Sequence, residues 1–262
     1  MTTTQYAFSN SSTQAPDQLA SLAACLDPVT TGILADLPVR ASHHCLEIGP
    51  GAGSVAAWLA DRVGPSGLVV AVDLDTSQLT IDGEIEIYQH DIRTGLPVDG
   101  PFDLIHARLV LVHLPERAQI FQQLVDALAP GGWLVLGEFG ADPLRVTTTP
   151  TTADAHLFEK VTNALMGILQ DHGVDLAWAD QIHTTMAHAG LGDIHTVEHA
   201  ESWPGGSAGA RLHHSNSLQM QDQLLAAGLT IEDLDAFRTL MDNPAFSARS
   251  YRFVCSRGRK PE

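Results

Sequence analysis

The stretch CLEIGPGAGSVAAWLADRV, Cys45–Val63, places three glycines and a proline between an apolar run and a segment with helical periodicity. Apolar residues recur at helical spacing after the glycines, so the chain turns from a buried strand directly into a buried helix. Glycine permits positive φ angles and lets the backbone approach a bound group closely. The stretch therefore predicts a tight strand–turn–helix unit whose helix presents unpaired N–H groups at its start.

Outward from this unit, apolar runs of strand length alternate with helical patterns from Ser42 to about Phe139. The strand-like runs are HCLEIG, GLVVAVDL, EIEIYQH, PFDLIHA and GWLVLGEF. Such continuous apolar strands are typical of a sheet that is covered on both faces, and the alternation implies right-handed crossovers. The pattern predicts an α/β fold with a doubly wound parallel sheet.

Helical patterns flank this core. A helix interrupted near Pro28 is expected before it, and residues 153–170 form an amphipathic helical pattern after it. The segment DIHTVEHAESW is typical of a strand, GGSAGARLHHSNS indicates a loop or irregular segment, and SYRFVCSRG predicts the last strand. We expect an N-terminal helical segment over residues 1–40 that covers the site. The core would span residues 41–262, with helical cap insertions at about 141–177 and 205–244.

Composition and charge argue against several classes of function. The chain has 262 residues, of which 44% are hydrophobic and 17% charged, and its formal net charge is −17. So negative a surface repels nucleic acid and anionic lipid, and neither is an expected partner. The N-terminus lacks the features of a signal peptide, and no apolar segment is expected to be long enough to cross a bilayer. A cytoplasmic protein is therefore expected, and a homodimer is left open.

Two aspartates follow the glycines at positions typical of an adenosine site. Asp73 ends the second strand, 20 residues beyond Gly53, where a carboxylate can accept hydrogen bonds from both ribose hydroxyls. Asp91 ends the third strand, where it either accepts the exocyclic amine of adenine or only caps the next turn. In a doubly wound sheet, ligands bind outside the carboxyl ends of the strands. The pattern therefore predicts an adenosine-bearing cofactor at that edge.

The spacing of the glycines distinguishes between adenosine cofactors. Dinucleotide turns have the form GxGxxG, whereas Gly49, Gly51 and Gly53 form GxGxG with Glu47 two residues before them. A carboxylate at position 47 repels a pyrophosphate but attracts the ammonium of an amino-acid tail, unless it is only a structural carboxylate at a strand end. S-adenosylmethionine has such a tail and is the expected cofactor. An NAD-dependent oxidoreductase is correspondingly disfavoured.

The chain resembles class I S-adenosylmethionine-dependent methyltransferases. The motifs LEIGPGAGSVAAWLA, VAVDLD, YQHDI, FDLIHARLVLVHLPER and LAPGGWLVLGEF occur in that family's order between about Cys45 and Phe139. The flanking parts resemble actinobacterial small-molecule (natural-product) methyltransferases more loosely. The resemblance implies a Rossmann-like, seven-stranded, mostly parallel sheet whose last strand is antiparallel. It also implies cofactor contacts at Glu47, Gly49, Gly51, Asp73, Leu74, Asp91, Ile92, Arg108 and His113. Of these residues, Arg108 and His113 would lie near the methionine end of the cofactor.

Three histidines are candidate general bases. His113 follows the fourth strand, where it could accept a substrate proton or simply pack beneath the cofactor. His213 and His214 lie in a segment expected to cover the site, as bases or as residues of a surface loop.

Metal assistance would need clustered carboxylates. Glu138 and Asp142 follow the fifth strand, but no acid follows the fourth directly, so no metal is expected.

The expected function is methyl transfer from S-adenosylmethionine to an oxygen, nitrogen or carbon nucleophile of a small-molecule metabolite, in secondary metabolism. In-line displacement depends mainly on positioning, with a histidine base as an optional aid. The alternative is a methyltransferase-like isomerase or cyclase that binds S-adenosylmethionine without consuming it. Both readings require the same binding motifs, so consumption of the cofactor distinguishes them.

Overall fold

A computed structural model describes residue 8, residues 10–79, residue 81 and residues 85–262. Residues 1–7 and 9 of the predicted N-terminal segment lie outside the described residues. In chain order the helices and strands are α1 (Ala15–Ala35), β1 (His44–Ile48), α2 (Ser54–Val63), β2 (Leu68–Asp73), β3 (Ile85–Gln89), β4 (Phe102–Arg108), α3 (Arg117–Ala127), β5 (Leu128–Phe139), β6 (Val146–Thr148), α4 (Thr152–Asp171), α5 (Trp178–His188), β7 (Gly192–His199), β8 (Ser202–Pro204), α6 (Ala208–Gln219), α7 (Gln221–Ala226), α8 (Ile231–Met241), β9 (Ser247–Arg249) and β10 (Phe253–Arg259).

The chain divides into two compact units. Unit 1 comprises Met1–Cys25, Asp142–Val174 and Ala200–Arg252. Unit 2 comprises Leu26–Ala141, Asp175–His199 and Phe253–Glu262. The predicted division at residue 40, and the covering role of the N-terminal segment, stay predictions.

Unit 2 is built on a seven-stranded sheet with the strand order β3-β2-β1-β4-β5-β10-β7. Strands β1 to β5 pair in parallel, and Cys45 of β1 aligns with Val69 of β2 and with Leu104 of β4. Strand β10 is antiparallel to both β5 and β7. The predicted Rossmann-like, mostly parallel sheet with an antiparallel last strand is confirmed.

The strand order reverses its direction between β1 and β4. From β1 the chain proceeds outward to β2 and β3, and it then returns to the other side of β1 as β4 and β5. The crevice at the carboxyl ends of two such strands is where open α/β sheets bind ligands. Glu47 of β1 and His106 of β4 are register partners at this position.

Apolar burial holds this sheet between its helices. Helix α2 buries Val55, Ala56, Leu59 and Val63, which repeat at helical spacing as expected. Helix α3 buries one such stripe as well, and each large side chain buried in this way contributes roughly 1.5–3 kcal/mol. The edge strand β3 differs from the prediction of strands covered on both faces, because Ile87 is 46% exposed. An edge strand lacks a neighbour on one side, and β3 is less covered than the central strands.

Unit 1 combines helices with a small sheet in the order β6-β9-β8. Its aromatic core brings the ring of Phe158 into contact with those of Phe237 and Phe246, at centroid distances of 6.0 and 5.2 Å. Helix α8 begins with a capping box, in which Thr230 and Asp233 exchange side-chain and backbone hydrogen bonds.

Helix α6 overturns the prediction of a loop over GGSAGARLHHSNS. Ser207 caps the helix by accepting a hydrogen bond from the N–H of Ala210 at 3.2 Å. The helix escaped detection because its buried face is partly polar and includes Ser215, Asn216 and Ser217. Periodicity of apolar residues cannot identify a helix that buries polar side chains.

Helix α1 overturns two further expectations. It is continuous from Ala15 to Ala35 with Pro28 inside it. A proline removes one backbone donor but does not end a helix whose neighbouring turns are packed, and Leu26 and Leu34 on either side are buried. By length and composition alone this helix could cross a membrane, contrary to the prediction that no segment could. Such a helix is also typical of a protein core, and Asp27 within it pairs with Arg108.

Candidate active site at the carboxyl edge of the sheet

The turn between β1 and α2 contains three glycines in left-handed conformations. The φ angles are 67° at Gly49, 58° at Gly51 and 93° at Gly53. Two features disfavour a side chain at position 49. The left-handed φ angle is one, and the other is that a Cβ there would overlap the side chain of Val110. Glycine is therefore required at position 49, where Val110 packs directly against the backbone.

The start of α2 offers unpaired N–H groups. Gly53 occupies the N-cap position, and no side-chain cap bond forms there within the described part of the chain. The first intrahelical bond runs from the N–H of Ala57 to the carbonyl of Gly53 at 2.9 Å. The N–H groups of the first turn thus remain available to an anion such as a carboxylate.

Asp73 ends β2 beside this turn. Its carboxylate accepts hydrogen bonds from the N–H groups of Asp75, at 3.1 Å, and of Gly51 and Leu74. Burial raises the pKa of Asp73, and the three N–H groups offset part of this shift. The tertiary structure therefore brings the predicted ribose-binding carboxylate against the glycine turn.

Glu47 lies inside the protein and bonds to a histidine that sequence reasoning missed. Nδ1 of His106 lies 2.7 Å from Oε2 of Glu47, and the two residues are 0% and 2% exposed. The available signal was an ionisable residue in the middle of the buried run FDLIHAR. An inward-facing histidine on the strand adjacent to an inward-facing glutamate is a candidate partner for it.

Asp91 caps a turn, which is one of the two roles predicted for it. It accepts a hydrogen bond from the N–H of Arg93 at 3.0 Å, at the start of the 3-10 turn Ile92–Thr94. The guanidinium of Arg93 also binds both carboxylate oxygens, with contacts of 2.7–3.0 Å, and lowers the pKa of Asp91. The adenine contact stays a prediction, and it would use the remaining lone pairs of this carboxylate. Ile92 beside it is buried, whereas Leu74 is 55% exposed.

Arg108, at the end of β4, contacts helix α1. Its guanidinium lies 2.9 Å from Oδ1 of Asp27 and donates to Oγ1 of Thr30 at 3.1 Å. This ion pair fixes the side chain at the carboxyl edge of the sheet. The contact with the methionine end of the cofactor stays a prediction.

His113 lies in the 3-10 turn Leu111–His113 that follows β4. Burial of the imidazole, with a smaller contribution from the charge of Arg117, lowers the pKa of His113 to about 4. The imidazole is therefore neutral near pH 7, and at this pKa it is a weak base. The backbone of the same turn is bound by Glu138, which is fully buried in β5 and accepts from the N–H of Val112 at 3.2 Å.

The model of the family described as "Methyltransferase domain" matches residues 46–136, from β1 to β5. This part of the chain has the sequence pattern of a methyltransferase domain. The predicted family and the predicted fold are confirmed over these residues, which contain the glycine turn and both aspartates.

Curated relatives resemble the methyltransferase domain and part of its surroundings. Methyltransferase GfsG of Streptomyces halstedii is 28% identical over 133 residues, which cover 47% of this chain and 47% of that protein. The ubiquinone/menaquinone biosynthesis C-methyltransferase UbiE of Pseudomonas putida is 31% identical over 138 residues, which cover 49% and 54%. The chain thus spans about half the length of the curated relatives it matches.

A solved structure extends the likeness beyond the methyltransferase domain. Phosphoethanolamine N-methyltransferase 2 of Haemonchus contortus was solved with phosphomonomethylethanolamine and S-adenosylhomocysteine. It superposes with a TM-score of 0.58 over 95% of this chain and 58% of its own, at 16% identity. At that identity the similarity establishes the fold alone.

His213 and His214 lie outside the methyltransferase domain, on α6 of unit 1. His213 is buried, so the alternative of a surface loop is wrong for it, whereas His214 is only half-buried. The imidazole of His213 contacts the rings of Phe158, Trp203 and Tyr251 at centroid distances of 5.2–5.7 Å. Burial lowers the pKa of His213 to about 4. A catalytic role for either histidine stays a prediction.

The carboxylates considered for a metal are separately engaged. Asp142 pairs with Arg252 in unit 1, and Glu138 binds backbone N–H groups in unit 2. Among the residues that the structure describes, no three His, Cys, Asp or Glu residues form a group that could hold a metal ion.

Proposed function

We propose that this protein is an S-adenosylmethionine-dependent methyltransferase that methylates an oxygen, nitrogen or carbon nucleophile of a small-molecule metabolite. One observation carries the proposal: the bared glycine turn at the switch point of the sheet lies against a carboxylate at the end of β2, inside a methyltransferase domain. The turn is suited to an amino-acid carboxylate, and Asp73 is suited to a ribose.

The residues present fit this cofactor. The unpaired N–H groups at the start of α2 and the buried carboxylate of Glu47 support this fit. The N–H groups at the start of α2 would bind the tail carboxylate, and Glu47 would face the ammonium. Asp73 and Leu74 would hold the ribose, and Asp91 and Ile92 would form the adenine side. Arg108 and His113 would lie toward the methionine end.

When bound, S-adenosylmethionine supplies an electrophilic methyl carbon on a positively charged sulfur. The chain has to hold the acceptor in line and keep water away, because positioning supplies much of the rate. His113 is the candidate base for a phenol, alcohol or carbon acid, although its lowered pKa makes it a weak one. An amine acceptor would not need this base.

A small metabolite is the acceptor class that the charge supports. The formal net charge of −17 disfavours nucleic acid, whose phosphates would be repelled. The similarity to UbiE, which is named as a ubiquinone/menaquinone biosynthesis C-methyltransferase, supports a role in the biosynthesis of a small molecule. A place in secondary metabolism and in the cytoplasm is part of the proposal. Which of oxygen, nitrogen and carbon is methylated is left open.

Two measurements test the proposal. Calorimetry and thermal unfolding should detect binding of S-adenosylhomocysteine and S-adenosylmethionine, with a raised melting temperature, and no comparable effect of NADH. A panel of metabolites incubated with S-adenosylmethionine should contain one whose mass rises by one methylene equivalent, with release of S-adenosylhomocysteine. Absence of binding would contradict the proposal. Conversion of a metabolite without release of S-adenosylhomocysteine would favour the isomerase or cyclase alternative instead.

A further inference from the structure

The bond between Glu47 and His106 joins neighbouring central strands inside unit 2. The two residues are register partners on β1 and β4, and Nδ1 of His106 lies 2.7 Å from Oε2 of Glu47. The other carboxylate oxygen, Oε1, accepts no hydrogen bond within the described part of the chain. The pair therefore fixes one oxygen of Glu47 and leaves the other available.

The distance between the two groups is that of a hydrogen bond. An ionised carboxylate can only accept, so opposite an ionised Glu47 the donor is Nδ1 of His106. Nε2 of His106 is buried and makes no hydrogen bond to any described residue. The histidine consequently has one polar contact, and that contact is Glu47.

Stability alone is a weak reason for such a pair. Removing two polar groups from water costs several kcal/mol, and buried pairs can often be replaced by apolar residues without loss. The neighbouring strand positions Leu46 and Ile105 are apolar and fully buried, which is the ordinary solution in this sheet. A buried carboxylate beside the glycine turn instead indicates a group held for a ligand.

We propose that His106 is a positioning residue that orients Glu47 so that Oε1 receives the ammonium of the cofactor's amino-acid tail. The inference rests on the proposed function and adds to it a residue outside the glycine turn. His106 touches no cofactor atom in this arrangement. It restricts the rotation of the Glu47 side chain and thereby lowers the cost of ordering it on binding.

The test compares two ligands that differ at the amino-acid tail. S-adenosylhomocysteine has the tail, whereas 5′-methylthioadenosine has the same adenosine without it. Calorimetry on the His106→Leu variant should give a Kd for S-adenosylhomocysteine weaker by about 2- to 10-fold, the range for the cost of ordering one side chain. The Kd for 5′-methylthioadenosine should change by less than about twofold, a difference too small to register as a lost hydrogen bond.

Three further variants make the comparison specific. His106→Asn keeps an amide donor near the position of Nδ1 and should recover most of the affinity for S-adenosylhomocysteine. Glu47→Gln should lose affinity for the same ligand, and adding His106→Leu to it should cause little further loss. His44→Gln changes an exposed histidine on the same strand as Glu47 and should bind both ligands like the wild type.

The outcomes separate the inference from the function on which it rests. Equal weakening of both ligands in His106→Leu, or no weakening, overturns the positioning role while leaving the methyltransferase intact. Failure of the wild type to bind either ligand overturns the proposed function and this inference together.

A spectroscopic measurement on the ligand-free wild type keeps the test valid if His106→Leu does not fold. Long-range proton–nitrogen NMR should find His106 protonated at Nδ1, with loss of that signature in Glu47→Gln. A proton on Nε2 alone would overturn the proposal.

Discussion

Glu138 in β5 accepts a hydrogen bond from the backbone N–H of Val112, at 3.2 Å. Val112 belongs to the turn after β4 that carries His113, so the carboxyl group holds this turn against the neighbouring strand. Burial raises the pKa of Glu138 to about 8, although the N–H groups of Val112, Leu111 and Val110 lower it in part. A protonated carboxyl group near neutral pH therefore supports the candidate active site.

Glu138→Gln should change how stability depends on pH. The pKa of this group is about 8 in the folded protein and 4.5 ordinarily, so between these values the folded state binds more protons and the unfolding free energy falls as pH rises. Glutamine does not titrate, so the variant should gain about 1 kcal/mol per pH unit relative to the wild type across this range. Urea unfolding at about pH 5 and about pH 8 measures the difference. A difference independent of pH would contradict the raised pKa.

Asp73→Ala should weaken binding of S-adenosylhomocysteine by about 10- to 100-fold, because it removes the carboxylate that we propose accepts from the ribose hydroxyls. Calorimetry provides the Kd. His43→Ala is the control, since its half-buried imidazole contacts Arg40 before β1, away from the carboxyl ends of the strands, and the change should leave the affinity unchanged. If His43→Ala weakened binding and Asp73→Ala did not, the cofactor would bind at the opposite edge of the sheet.

Gly49→Ala and Gly32→Ala should have effects of opposite sign. At Gly49 a methyl group meets Val110 and the φ angle is 67°, so we expect a loss on the order of 2 kcal/mol or more. Gly32 lies on α1 with nothing near the position of a Cβ, and alanine should stabilise the helix by about 0.5–1 kcal/mol. Denaturant unfolding measures both changes. Equal effects would mean that the turn does not require glycine.

His213→Phe should protect the protein against mild acid. The pKa of His213 is about 4 in the folded protein, below its ordinary value of 6.5, so the wild type loses stability as pH falls through this range. Phenylalanine keeps the ring among Phe158, Trp203 and Tyr251 but cannot bind a proton. The unfolding free energy of the variant relative to wild type should rise by up to about 1 kcal/mol per pH unit on acidification. Other histidines contribute equally to both proteins, so a constant difference would exclude a buried neutral His213.

Local patterns predicted much of the fold because their causes are local. Alternating apolar strands and helices gave the doubly wound sheet, and the glycine spacing gave the turn before Ser54. The capping box at Thr230 follows from residues three positions apart. Helix α6 was missed because its buried face contains Asn216 and other polar residues, whose partners lie elsewhere in unit 1.

In the candidate site, too, some features could be predicted from the sequence and others could not. The positions of Glu47, the glycines and Asp73 could be read from the chain, since each lies at the end of a strand and parallel strands end at one edge. The side chains that bond to the candidate site residues could not be predicted from the sequence. Asp91 binds Arg93, and Arg108 binds Asp27, through contacts that depend on side-chain geometry.

The sequence by itself determined the kind of sheet, the bare turn at its edge and the acidic residues around that turn, because periodicity and glycine conformation act over a few neighbouring residues. Only the tertiary structure decided that His106, 59 residues along the chain, bonds to Glu47, and that Glu138 lies buried against the turn of His113. The physical reason is register: the pairing of distant strands is set by packing across the whole sheet, and the burial that shifts a pKa exists only once the sheet has formed.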